Sequence, residues 1–238
     1  MASIDNMSGQ KTMSGSPFVP LPPLSIAWTR KPVASARTEV RKLDDGRIRL
    51  SIIHDVIKGV TPEMLVWWFK NIEGEVEIEG CRLNRYRVWH PIDHIHYRVA
   101  KRCADGSIGP GAIFHIVEAF SGRRDWLVDG MTRVDRLDLD GFHHTPMRLG
   151  VPFGEASYRW SAVPGGTRYE NSLTAGPIWP LFGRVLVPLL RRTMFPDDKA
   201  VAWLTHNVEE VGNFESFLPR LFADAVGVNA APRGPTVA

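Results

Sequence analysis

Cysteine is almost missing from this chain. Cys81 and Cys103 are the only two in 238 residues, and their separation makes neither a metal knuckle nor a redox pair. They form one disulfide or, as expected of a chain that opens without a secretory signal, remain reduced, buried thiols. Long apolar runs are missing too. The most hydrophobic stretch, "IWPLFGRVLVPLL", is too short to span a bilayer and is broken by Pro180, Arg184 and Pro188. Basic clusters with interleaved aromatics are also missing. A net charge of +3 with both signs interspersed excludes the reading of a nucleic-acid surface despite a pI near 9.0. The opening "MASIDNMSGQKTMSGS" has neither the basic patch nor the apolar run of an export signal. The expectation is a soluble, cytoplasmic protein with no nucleic-acid or membrane partner.

An apolar fraction of 44% and a charged fraction of 23% are ordinary for a globular domain. The length allows one large domain with a substantial core and an internal cavity. Residues 1–20 read as a disordered tail, 21–75 as an N-terminal arm and helical segment, 76–225 as the main folded domain, and 226–238 as a second tail. The proline-dense "FVPLPPLSIAW" belongs to the arm. In "GVTPEMLVWWFKNIEG", Thr61 suits an N-cap, Pro62 the first helical position and Gly74 a stop.

From about residue 76 to 176 the pattern becomes short, partly alternating strands. They include "EVEIEG", "HIHYRVAKR", "GAIFHIVEAF", "MTRVDRLDLDGF", "ASYRWSAV" and "TRYENSLTAG". "ADGSIGPG" and "VPGG" read as hairpin connections. A terminal helix opens at Asp197 or Asp198, with a stripe of Val201, Leu204, Val208, Val211, Phe214, Phe217 and Leu218, and Gly212 and Pro219 as sites of bending or division. The fold class is α+β: an antiparallel curved sheet around a long C-terminal helix, with an N-terminal helical extension, and by analogy the expected architecture is the helix-grip (Bet v 1/START-like) one.

Within that helix, "WLTHNVEEVGNFESF" interleaves His206, Glu209 and Glu210 with apolar positions. Residues four apart share a helix face, so His206 and Glu210 can aim at one point, as paired metal ligands do. Taken alone, the spacing is equally well a solvated polar face. The segment "RYRVWHPIDHIHYRV" adds His90, Asp93, His94 and His96. Strand alternation puts His94 and His96 on one face, with Tyr86 and His90 also in phase. Glu118 interrupts an apolar strand, where a charge needs a partner. The hairpin implied by "CADGSIGPG" sets His94 or His96 opposite Glu118.

The ordered set "TPEMLVWWF", "WHPIDH", "IVEAF" and "HNVEEVGNFE" resembles the zinc-dependent hydrolases of 2,4-diacetylphloroglucinol and phloretin, over roughly residues 55 to 220. The resemblance implies a fold similar to that of plant pathogenesis-related allergens. It implies hydrolysis of a carbon–carbon bond between an acyl group and a phenolic ring, with a zinc ion held by two histidines and two glutamates. Those ligands fall on His206, Glu210, Glu118 and a histidine of "WHPIDH", taken as His94 rather than His90. It also implies a small phenolic substrate met by tyrosine and histidine side chains. Tyr86 matches one such tyrosine, and Tyr158 stands where a histidine is expected. Tyr86 and Tyr158 are therefore the candidate catalytic residues, with His143 and His144 as alternatives. His96 and His115 read as sheet or supporting residues, and Trp67, Trp68 and Trp89 as core or cavity wall. A non-catalytic carrier of aromatic polyketides and an iron-dependent oxygenase are the competing readings. The run "LFGRVLVPLLRR" offers a cover for the cavity mouth, a partner surface or a homodimer interface.

Overall fold

Two side-chain periods divide the chain, and the structure follows both. In the computed structural model the described residues are 16–148, 150–176 and 195–227. The elements run β1 (Arg37–Lys42), β2 (Ile48–Ile53), β3 (Ile57–Lys58), α1 (Pro62–Lys70), β4 (Glu75–Ile78), β5 (Cys81–Asn84), α2 (Arg85–Trp89), β6 (His94–Lys101) and β7 (Ile113–Ala119). They continue with β8 (Leu127–Asp138), β9 (Gly141–Arg148), β10 (Val151–Pro152), β11 (Gly154–Val163), β12 (Gly166–Ala175) and α3 (Asp197–Gly227).

Ten strands form one antiparallel sheet in the order β1-β2-β12-β11-β9-β8-β7-β6, with β3 on β12 and β10 on β9. β4 and β5 make a separate hairpin. The sheet bends around α3. One core joins Val211, Phe214, Phe217 and Leu218 of α3 to Phe114, Phe142, Trp160 and Tyr169 of the sheet and to Trp68 and Phe69 of α1. A second joins Ile48, Leu50 and Ile52 of β2 to Trp203, Leu204 and Val208. This is the helix-grip arrangement expected from the pattern. Helix α1 starts as its sequence dictates. Thr61 accepts a hydrogen bond from Met64 N–H at 3.4 Å, Pro62 occupies the first turn, and such a cap is worth about 1 kcal/mol.

Several expectations need correction. The sheet begins at Arg37 rather than near residue 76, and β1 and β2 complete it beside β12. A division at residue 75 therefore cuts through one sheet. β2 carried a legible alternation, "IRLSII", buried at Ile48, Leu50 and Ile52. β1 is exposed along its whole length, so burial left no pattern to read. Packed chain also begins before residue 21. Phe18 stacks on His96 at 5.0 Å, and with Leu21 it covers Ile95, Val117 and Ala119 on the outer face. Both cysteines are free, with Cys81 exposed.

On α3, Val201 is exposed rather than part of the buried stripe. Neither Gly212 nor Pro219 divides the helix. Gly212 instead makes room for the arm, since a Cβ there would meet Lys31 Cγ at 2.8 Å. The apolar run 178–190, with Arg191 and Arg192, lies outside the described residues, as do 1–15 and 228–238 of the two tails. Among the described residues, no helix is long and apolar enough to cross a membrane.

Candidate metal centre

Three segments far apart in sequence converge under the bend of the sheet. β6 and β7 pair with His94 opposite Glu118, but the next pair is His96 with Val117. The extra residue, Ile95, is a β-bulge, and one extra residue reverses the facing of everything beyond it. His94 therefore faces the interior, while His96 joins His115 outside, with rings 5.3 Å apart. This corrects the expectation that His94 and His96 share a face. His115 binds Asp129 at 2.7 Å on that outer side, so both histidines belong to the sheet surface.

From α3, His206 and Glu210 enter from one face, both buried. His94 Nε2 stands 3.7 Å from Glu118 Oε1 and 3.5 Å from Glu210 Oε2. His206 Nε2 stands 3.8 Å from Glu118 Oε2 and 3.6 Å from Glu210 Oε2. The structure thus brings together His94, Glu118, His206 and Glu210. His90 stands behind them.

Each imidazole is oriented by its far nitrogen. His94 donates its Nδ1 proton to the Tyr86 carbonyl at 2.7 Å, which leaves a bare lone pair on Nε2. That nitrogen is fully buried and has no hydrogen-bond partner among the described residues. His206 donates its Nδ1 proton to Asp93 Oδ2 at 3.0 Å, and Asp93 also accepts from Gly122 N–H at 3.1 Å. A carboxylate behind a histidine sets its tautomer and raises its basicity.

Charge is concentrated here. Burial alone would discharge His206, but Glu210, Asp93 and Glu118 around it raise its pKa to about 9. Burial pushes Glu210 up to about 8, with Glu118 and Asp93 adding to the rise against the pull of His206. His94 is held well below the ordinary histidine value by burial and by the neighbouring His206 and His90. Three carboxylates around two imidazoles make a site short of positive charge.

Tyr86 hydroxyl donates to Glu118 Oε1 at 2.5 Å, so it is committed to a carboxylate of the centre. Burial and the Glu118 charge raise its pKa well above 10, and it holds its proton. Tyr158, on β11, lies among Phe142, His144 and Tyr169 on the inner face. Burial, then the charges of Glu210 and Glu118, keep it protonated as well. His144 shares that face, its ring 5.6 Å from Tyr158, and its Nδ1 meets the Thr132 hydroxyl at 2.5 Å. His143 points outward to Ser157. Glu209 turns away from Glu210 to His90 and Arg30. Trp68 and Trp89 are core.

Sequence reasoning singled out Asp93 without giving it a role, because its partner is 113 residues distant. It passed over Tyr169, whose hydroxyl is buried without a partner among the described residues and feels Tyr158 and Glu210. Its alternation on β12 with Asn171 was the available signal.

Among curated proteins none matches the chain. Solved structures are similar over most of its length. A protein from Rhodobacter sphaeroides is 13% identical, covering 78% of this chain and 99% of its own, at a TM-score of 0.45. Ara h 8.0201 is 12% identical, covering 77% and 97%, at 0.43. A START superfamily protein from Mycobacterium smegmatis is 14% identical, covering 68% and 99%, at 0.40. In sequence, residues 38–121 match the family described as the DAPG hydrolase PhiG domain, a stretch that includes Tyr86, His94 and Glu118. The match spans 84 of the 238 residues, and His206 and Glu210 lie outside it.

Proposed function

We propose that this chain is a zinc-dependent hydrolase that cleaves the carbon–carbon bond between an acyl group and a phenolic ring, on acylphloroglucinol-type or related β-diketone substrates. The observation that carries the reading is the spacing of the two Nε2 atoms of His94 and His206 from the carboxylate oxygens of Glu118, one oxygen toward each ring, and from Glu210 Oε2. Zinc bonds of about 2.1 Å in a tetrahedron separate neighbouring donors by about 3.4 Å, and the separations here are 3.5, 3.6, 3.7 and 3.8 Å. The buried, partnerless Nε2 of His94 is what a metal ligand looks like without its metal. Two imidazoles and two carboxylates also suit zinc chemically, though iron accepts the same donors.

The reaction adds water across one bond: the acyl carbon gains hydroxyl, and the ring carbon gains hydrogen. When bound, zinc supplies Lewis acidity toward the acyl carbonyl and toward water. The chain supplies position and protons. Tyr86 holds Glu118 in place and so acts through it. Tyr158, held protonated by burial and by the charges of Glu210 and Glu118, donates a hydrogen bond to a substrate oxygen and orients the ring. Tyr169 offers a second hydroxyl on the same wall. Phe142, Trp160 and Tyr169 pack beside Tyr158 and make its surroundings aromatic and dry, which suits a flat phenolic ring.

Elemental mass spectrometry on the purified wild type and His206→Ala, followed by an acylphloroglucinol hydrolysis assay, tests this. About one zinc per wild-type chain, lost in the variant together with turnover, is the expected result. Metal-free protein with full activity, or iron with oxygen uptake, overturns it.

A further inference from the structure

The arm before β1 touches the centre's scaffold at several points. Arg87 donates to the Pro22 carbonyl at 2.5 Å, and Leu24 N–H donates to the Pro91 carbonyl at 3.1 Å. Trp28 stacks on Phe217 of α3, 5.4 Å away and within 12° of parallel. Arg30 then pairs with Glu209 at 3.0 Å, and Lys31 with Glu215 at 2.5 Å.

Arg30 is the contact that leads inward. The same Glu209 oxygen that binds Arg30 lies 3.1 Å from His90 Nε2. His90 is buried, and its Nδ1 already accepts the Asp93 N–H at 3.1 Å. Its one remaining ring proton is therefore on Nε2 and faces Glu209. The His90 ring lies against that of His206, 4.4 Å away at 21°. Arg30, Glu209, His90 and His206 thus form a continuous row from the arm to the centre.

We propose that Arg30 is a positioning residue of the metal centre, acting through Glu209 and His90 on His206. The inference rests on the zinc reading above. The physical argument is one of alternatives. Glu209 is 18% exposed at its side chain, so without the guanidinium its carboxylate gains by rotating into water. His90, at 1% exposed, has two carboxylates near its Nε2, Glu209 at 3.1 Å and Asp93 at 3.8 Å. The Glu209 contact is a close approach of charge to a buried ring rather than an aligned hydrogen bond. When that carboxylate leaves, the ring turns its Nε2 toward Asp93 Oδ2, the oxygen that also serves His206. Its movement displaces the ring stacked on it and the turn that carries Asp93 and His94. Glu209, next to Glu210 in sequence, thereby has a purpose of its own. So has an arm that contributes no donor atom.

The test uses the full chain and measures zinc dissociation constants against a chromophoric chelator, together with the cobalt-substituted absorption spectrum. Arg30→Ala and Glu209→Gln weaken zinc about tenfold or more, the range found when a supporting partner of a ligand is removed, and shift the cobalt bands. Arg30→Lys restores most of the affinity. Lys31→Ala is the control, because it cuts an ion pair between the same arm and the same helix but lies outside the row. It leaves affinity within about twofold and the bands unmoved. If Arg30→Ala and Lys31→Ala behave alike, whether both harmless or both harmful, the positioning role is wrong while the zinc site stands. If the folded wild type takes up no zinc, the zinc reading fails first and takes this role with it.

Discussion

The ring of Tyr86 lies flat on that of His94, with centroids 3.8 Å apart and planes within 4°. The same residue takes the His94 Nδ1 proton on its carbonyl and gives its own hydroxyl proton to Glu118. One tyrosine thus orients two of the four converging side chains. Tyr86→Phe keeps the stack and the carbonyl and loses only the proton to Glu118. Zinc affinity is expected to fall about tenfold, with a smaller loss of fold stability of about 1 kcal/mol. Chelator competition and urea unfolding of the metal-free protein separate the two effects, and unchanged affinity contradicts the assignment.

Zinc that binds only the folded chain stabilises it by mass action, about 2.7 kcal/mol at one hundred times its dissociation constant. For a chain of this size that raises the melting temperature by about 5–10 °C. Chelation is expected to remove the increment and added zinc to restore it. Glu210→Gln, which keeps the shape and deletes the charge, is expected to show no zinc-dependent shift in scanning calorimetry.

His54 is buried away from the centre, with Nε2 on Asn171 Oδ1 at 2.9 Å. Burial lowers its pKa to about 4. Between that value and the ordinary 6.5 the unfolded chain binds a proton that the folded chain refuses. Stability is therefore complete above pH 6.5 and falls as the pH drops toward 4, by roughly 3 kcal/mol for this group. Denaturant titrations at several pH values are expected to show a shallower acid decline for His54→Asn than for wild type.

Gly212 lies under the stem of Lys31. Glycine to alanine inside a helix ordinarily gains up to about 1 kcal/mol. Here the added methyl displaces the Lys31 stem, so the gain is expected to vanish and the arm to loosen. Limited trypsin digestion after Arg30 should run several-fold faster in Gly212→Ala. An arm equally protected, in a protein more stable than wild type, would count against the close approach.

Much of this was legible in the sequence. Helix α1 announced itself through Thr61 and Pro62, and α3 through its apolar stripe. The β6–β7 hairpin arithmetic put His94 or His96 opposite Glu118, because antiparallel register is local once a turn is found, and the structure selects His94. What escaped was of two kinds. One extra residue at Ile95 broke the alternation and sent His96 outward, and nothing in "HIHYRV" marks it. Long-range polar partners were equally silent. Asp93 meets His206, and Asn171 meets Asn207 and His54, through contacts that no local period encodes. The exposed β1 escaped because a strand with both faces wet has no pattern of burial to show.

The four converging side chains come from positions 94, 118, 206 and 210, which sets an order of assembly. Chains are made from the N-terminus, and early segments begin folding first. When the β6–β7 hairpin has formed, only one imidazole and one carboxylate face each other, a poor trap for any cation. The other two arrive on the last described helix. A chain cut short before His206 owns half a site, and a complete one acquires the whole at a single event, the docking of α3. Under the proposed zinc reading, uptake of metal reports that α3 has docked.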